Sequence, residues 1–209
     1  WGMARIKIGD TILVPELEHH SDIVPWQMVA KAKGAQVRAI PVNDLGEIDL
    51  DAYEALLDER VKLVAVNHVS NALGTINPVK KMTELAHKVG AKILVDGAQS
   101  VAHFPVNVSE IGCDFFVFSA HKLYGPTGIG VLWGKEDLLN AMPPYQFGGE
   151  MIERVSFEGT TFNQLPYKFE AGTPNIAGAI GLAAAIDYVE SFDRSAVAKH
   201  EEAILRYAF

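Results

Sequence analysis

Cysteine is nearly absent. Among 209 residues only Cys113 occurs, and one thiol can build neither a disulfide framework nor a cysteine-ligated zinc site. Long apolar runs are missing as well: none reaches the roughly 20 residues that a membrane-spanning helix needs, and no signal-peptide pattern is visible. Positive charge is in deficit. Lys and Arg number 18 against 26 Asp and Glu, giving a formal charge of −8, which argues against nucleic acid or an anionic membrane surface as the main partner. There is no internal repeat, low-complexity tract or domain linker. Hydrophobic residues make up 49% of the chain, and its length suits one well-buried core rather than two large domains. A cytoplasmic enzyme is what these exclusions leave. The chain starts at Trp1 rather than Met, and Phe209 falls inside a helical pattern. An internal piece of a longer protein, cut at both ends, is therefore expected.

What is present is a rhythm. Thr11-Ile12-Leu13-Val14 reads as a strand after a Gly9-Asp10 turn. Ile23, Trp26, Met28, Val29 and Ala32 then recur at helical spacing, with Ser21 or Asp22 as the expected cap and Gly34 as the stop. Gln36 to Pro41 is a second strand. Leu50, Tyr53, Leu56 and Leu57 mark a helix, Leu63 to Val66 a strand, and Met82, Leu85, Ala86 and Val89 a helix closed by Gly90. Strands follow at Ile93–Val95, Phe115–Phe118 and Gly130–Trp133. Such alternation predicts a three-layer α/β/α fold around a mostly parallel sheet. After Lys135 the rhythm breaks. Pro143, Pro144, Gly148, Gly149 and Gly159 lie in a stretch without clear periodicity, which reads as a long functional or disordered loop. Helical spacing resumes near Asn175 and again from Ala196 to Phe209.

The chemistry-bearing side chains sit where the apolar runs end. His19 and His20 follow the Leu13 strand, Asn71 the Val66 strand, Asp96 and Gln99 the Val95 strand, and Ser119, His121 and Lys122 the Phe118 strand. In a parallel sheet these positions share one edge, where open α/β sheets bind their ligands. A carboxylate and an amine delivered there suit pyridoxal 5′-phosphate (PLP), which needs a lysine for its Schiff base and an acid to hold its pyridine nitrogen protonated. Other residues read structurally. His68 is expected to be a strand-end histidine hydrogen-bonded to backbone, and His87 and His200 to be solvated on helix surfaces. His20 is balanced between supporting the site and packing, and His103 is ambiguous. Tyr124 is expected to pack its turn, Phe115–Phe118 to be core, and Cys113 to be a buried structural thiol.

Five segments together carry a family resemblance. They are Glu18-His19-His20-Ser21, His68 through Pro78, Asp96-Gly97-Ala98-Gln99, Ser119-Ala120-His121-Lys122 through Gly130, and Phe169-Glu170-Ala171-Gly172-Thr173-Pro174-Asn175. In this order they resemble the cysteine desulfurases, in particular the group II, SufS-like branch of the class V aminotransferase family. The resemblance implies a PLP-dependent, fold-type I large domain over 1–209, incomplete, with the small C-terminal domain absent. By the same resemblance Lys122 is the Schiff-base lysine, Asp96 pairs with the ring nitrogen, and Gln99 and Asn71 lie at the ring's phenolate edge. Ser119 and His121 contact the phosphate. His19 stacks on the ring and shuttles protons, and Thr173 reaches the phosphate of a neighbouring subunit in a homodimer. The implied reaction converts L-cysteine to L-alanine, leaving sulfur as an enzyme persulfide for an acceptor protein of iron–sulfur cluster assembly. L-Selenocysteine lyase and class V aminotransferase are the rival activities, and a catalytically incomplete dimerisation or binding module is the rival outside PLP chemistry. The family's persulfide cysteine, substrate-carboxylate arginine and Gly-Thr-Thr phosphate cup have no matching motif here. The 209-residue piece is therefore expected to bind PLP weakly and to be inactive alone.

Overall fold

A computed structural model of the chain describes residues 1–208. Its strands are β1 (Thr11–Pro15), β2 (Gln36–Ile40), β3 (Val61–Asn67), β4 (Lys92–Asp96), β5 (Phe115–Ser119) and β6 (Gly130–Gly134), with a separate pair β7 (Ile152–Ser156) and β8 (Gly159–Phe162). The helices are α1 (Gly2–Arg5), α2 (Val24–Lys33), α3 (Leu50–Leu56), α4 (Val79–Lys88), α5 (Ser100–His103), α6 (Val108–Ile111), α7 (Glu136–Asn140), α8 (Ile176–Glu190) and α9 (Arg194–Ala208). The main sheet has the order β2-β1-β3-β4-β5-β6. Every pairing is parallel except β5 with β6, where Phe115 faces Gly134 and Ser119 faces Gly130 in antiparallel register. The expected three-layer α/β/α architecture is the one observed.

The two faces of the sheet divide by the two-residue period of a strand. Leu13, Val64, Val66, Ile93, Val95 and Phe116 pack with Tyr53 of α3 and with Met82, Leu85 and Ala86 of α4. Ile12, Val14, Leu63 and Ala65 point the other way, onto Ile6, Trp26 and Val29 of the α1–α2 layer. Covered on both sides, β3 reads as a continuous apolar run and buries almost every residue. Helix α2 stops at Gly34, whose φ of 68° is left-handed and favours glycine. No helix among the described residues is long and apolar enough to cross a membrane.

Local details differ from the sequence expectations at several points. Helix α2 has Ile23 at its N-cap and no side-chain cap; Asp22 instead turns inward to accept from the Trp26 indole Nε1 at 3.0 Å. His87 is not simply solvated: its Nε2 lies 2.7 Å from Oδ2 of the fully buried Asp114. His103 pairs with Glu201 at 2.9 Å. The aperiodic stretch after Lys135 contains α7 and the β7–β8 hairpin.

Candidate active site

Connections between successive strands reverse direction across β1 and β3, the adjacent pair flanked by β2 and β4. A crevice at such a switch point opens outside the carboxyl ends of the strands. Each of the four neighbouring strands β1, β3, β4 and β5 delivers a different polar group to it.

Beyond β1, the chain runs through the buried Glu18 to His19. The His19 ring is held by its own turn, with Nδ1 2.7 Å from Ser21 Oγ and accepting from Ser21 N–H at 3.1 Å. At the end of β3, the Asn67 N–H donates to Glu18 Oε1 at 2.6 Å and its side-chain amide donates to Leu17 O at 3.0 Å. Asn77 donates to both Asn67 O and Oδ1. These bonds tie the β1 and β3 exits together. The Asn71 turn follows, built on Ser70 Oγ, which accepts from the N–H groups of Ala72 and Leu73 at 3.2 Å each.

Asp96 closes β4 in register between Asn67 and Val117. One carboxylate oxygen accepts from Ala98 N–H at 2.8 Å, and its carbonyl accepts from His68 N–H at 2.8 Å. The next residue must be glycine for packing reasons: a Cβ on Gly97 would overlap the Phe116 ring. Lys122 leaves β5 through the 3₁₀ turn Ala120–Lys122. That turn is pinned from below, because Ala120 and Leu123 are buried against Leu182 and Val189 of α8.

The strand ends enclose a cavity of about 490 Å³ lined by His19, Asn71, Asp96, Gln99, Ser119, His121 and Lys122, within the roughly 300–1,000 Å³ typical of small-molecule sites. Seven of the eight residues expected in the site are thus brought together. Thr173 is exposed and lies outside the lining. His20 lines a smaller adjoining hollow with Glu16 and Asn71. His68 packs edge-on against Phe104, its Nδ1 without a partner among the described residues and its basicity lowered by burial; its main chain is hydrogen-bonded to Asp96 and Asn77, as expected of a strand-end histidine. Tyr124 does more than pack its turn: it is exposed, with a left-handed φ of 59°, and its ring meets Tyr188 edge-on. Val117 and Phe118, expected in the core, are half-buried and form part of the cavity wall.

The cavity also has walls that the sequence reading missed: Asp22, Trp26, Asn67 and Leu94. Asp22 and Glu18 are buried, and Asp22 Oδ2 and Glu18 Oε2 have no hydrogen-bond partner among the described residues. Burial, the charge of Asp22 and, less, that of Asp96 push the Glu18 carboxyl up to about 9. Burial raises Asp22 to about 7, with the Trp26 hydrogen bond opposing and the Asp96 charge assisting. No cation among the described residues forms an ion pair with Glu18, Asp22 or Asp96. The only early signal was the run of acids and histidines from Glu18 to Asp22.

Fold and site together define a class: an open α/β/α sheet that presents an amine and a carboxylate from adjacent strand ends to one crevice. The chain belongs to the aminotransferase class-V family, whose family model matches residues 1–209. It is 54% identical over its whole length to a protein named cysteine desulfurase from Enterobacter sp. (strain 638), of which it spans 52%. Among solved structures it resembles the cysteine desulfurase CsdA of Escherichia coli, with a TM-score of 0.91 and 44% identity, over 93% of this chain and 49% of that one. An apo cysteine desulfurase from Thermococcus onnurineus NA1 matches with a TM-score of 0.94 and 43% identity, over 98% of this chain and 51% of that one. The chain thus spans about half the length of the relatives it matches, and its architecture is that of the fold-type I PLP enzymes.

Proposed function

We propose that the crevice holds PLP and that the complete protein is a SufS-like cysteine desulfurase, releasing L-alanine from L-cysteine and passing sulfur to an acceptor of iron–sulfur assembly in the cytoplasm. One observation carries the reading: a single cavity gathers the Lys122 amine, the Asp96 carboxylate and the His19 imidazole from three different strand ends. The donor set also fits the group chemically. The Asp96 wall is acidic and lacks a protein cation, as a site for a ring nitrogen bearing a proton requires, while Leu94 and Val117 supply apolar surface.

When bound, PLP supplies an electron sink for carbanion density at the substrate carbon. Lys122 would anchor it covalently and carry a proton to and from the reacting carbon. Asp96 would hold the ring nitrogen, Gln99 and Asn71 the ring-oxygen edge, and Ser119 and His121 the phosphate. His19, steadied by Ser21, would cover the ring face and shuttle protons. Thr173, exposed and outside its own cavity, would serve the phosphate of the second subunit in a homodimer.

The test is to give the complete protein L-cysteine, L-selenocysteine and an amino acid with a keto acid, and to assay alanine and released sulfur or selenium. Alanine and sulfur from cysteine without keto acid support the reading. Dependence on keto acid, or turnover confined to selenocysteine, overturns it in favour of an aminotransferase or a selenocysteine lyase. Within this reading, Asp96→Ala should keep PLP through Lys122 and lose alanine production by about 10²–10³-fold, the usual effect of removing one electrostatic stabiliser. Near-normal turnover in that variant, with cofactor content confirmed by absorbance, would move the acid role elsewhere.

A further inference from the structure

The crevice contains a second acid that the proposed chemistry leaves unused. Asp22 lines the same cavity as Asp96, is 5% exposed, and has one oxygen satisfied by Trp26 and one without a partner among the described residues. A buried carboxylate oxygen without a donor is costly, because desolvation is not repaid by a hydrogen bond or a counter-charge. A carboxyl in that position either keeps a proton or waits for a positive group to arrive. Asp22 adjoins a cavity open to a ligand, so both states are available to it.

We propose that Asp22 is a positioning residue for the cofactor, exchanging its proton for the positive charge of the incoming ring and so coupling PLP binding at Asp96 to pH. This rests on PLP being the ligand of the crevice. The groups facing Asp22 are few. From the β1 exit come Glu18 and His19, which begins the turn that carries Asp22, from β4 Asp96, and from the β5 exit His121 and Lys122; β3 and α2 contribute only the neutral Asn67 and Trp26. Glu18 is itself buried and raised to about 9, so near neutral pH it is a silent, protonated neighbour. Asp22, raised to about 7, is half titrated there.

The sign follows from linkage. A ring cation favours ionised Asp22, so its carboxyl titrates lower with PLP bound than without, and binding releases a proton. Affinity should therefore rise with pH up to about 7, where free Asp22 has lost its proton, and level off above.

The experiment is calorimetric titration of the complete apoenzyme with PLP at pH 7, in two buffers of different ionisation enthalpy, for wild type, Asp22→Asn and Glu18→Gln. Wild type and Glu18→Gln should release about half a proton per site more than Asp22→Asn, and the pH slope of PLP affinity below neutrality should be shallower in Asp22→Asn. Equal proton release and parallel pH profiles in all three would overturn the proposal. Absence of PLP binding in wild type would instead overturn the assignment of the cofactor, so the two failures are distinct. Should Asp22→Asn fail to fold, Trp26→Phe removes the bond that holds Asp22 down and should move the affinity plateau to higher pH; an unmoved plateau overturns the proposal equally.

Discussion

Borohydride reduction of the PLP-loaded complete enzyme should fix a pyridoxyl group on Lys122, and Lys122→Ala should abolish that label. Lys122 is the only lysine in the cavity lining. Its position is set by the 3₁₀ turn at the end of β5, and that turn rests on the buried Ala120 and Leu123 rather than on a free loop. Losing the amine removes both the covalent anchor and a proton carrier. The second loss alone is worth about 10²–10⁴-fold in rate, so alanine production should fall by at least that much. Peptide mapping checks the first outcome, and a label on any other lysine sinks the assignment. The result separates the amine from Asp96, whose removal should spare the label while depressing turnover.

The second large effect concerns folding rather than chemistry. Asp114 is fully buried between β4 and β5, accepting from His87 at 2.7 Å, Ile93 N–H at 2.9 Å and Lys135 at 3.0 Å, with Lys92 at 3.6 Å. Burial alone would raise its carboxyl; these hydrogen bonds and charges outweigh it and hold the group below the usual carboxylate range. Asp114→Ala should destabilise by about 3 kcal/mol, the lower end of the 3–5 expected for breaking a buried pair. The lower end applies because the side chains of His87, Lys92 and Lys135 are each about a third exposed, so water can take over their charges, whereas the buried Ile93 N–H has no substitute. Denaturant melts should show the midpoint falling with an unchanged slope. The pH dependence has a definite sign. A depressed carboxyl contributes stability that is present above its unfolded value near 3.8 and lost as pH falls through its folded one. The gap between wild type and variant should hold from neutrality down to about pH 4 and close below it. A gap that closes already between pH 7 and 5 would mean that His87, not Asp114, governs the network.

These two residues also show what was legible in the sequence. Lys122 and Asp96 could be found because each follows an apolar run, and in a parallel sheet the end of a run is a place in space. Asp114 lies at the N-terminal side of such a run, where nothing in the pattern marks it, and its partner His87 is 27 residues away on α4. Helical spacing correctly gave His87 an outward position but carried no information about what reaches it from a neighbouring connection. Asp22, expected as a cap, and the cavity-facing side of Trp26, correctly placed on the apolar helix face, were missed for a related reason. Period reports which face of a helix is apolar, not that the first turn of that face overhangs a sheet edge. The β7–β8 hairpin was unreadable because nearly all its residues are exposed, so no alternation of apolar and polar residues was required of it.

Cys113 gives the molecule a built-in clock for unfolding. It is the one cysteine in the chain, 0% exposed beside Asp114, with its thiol pushed up to about 11 by burial and then by that neighbour's charge. Alkylation needs a solvent-accessible thiolate, so a maleimide dye can mark this position only after the core cluster that buries it against Met82, Leu85 and Ile93 has opened. Labelling under native conditions should then be slow and should quicken in step with the Asp114→Ala destabilisation, reporting the opening of this core at single-residue resolution without any engineered probe.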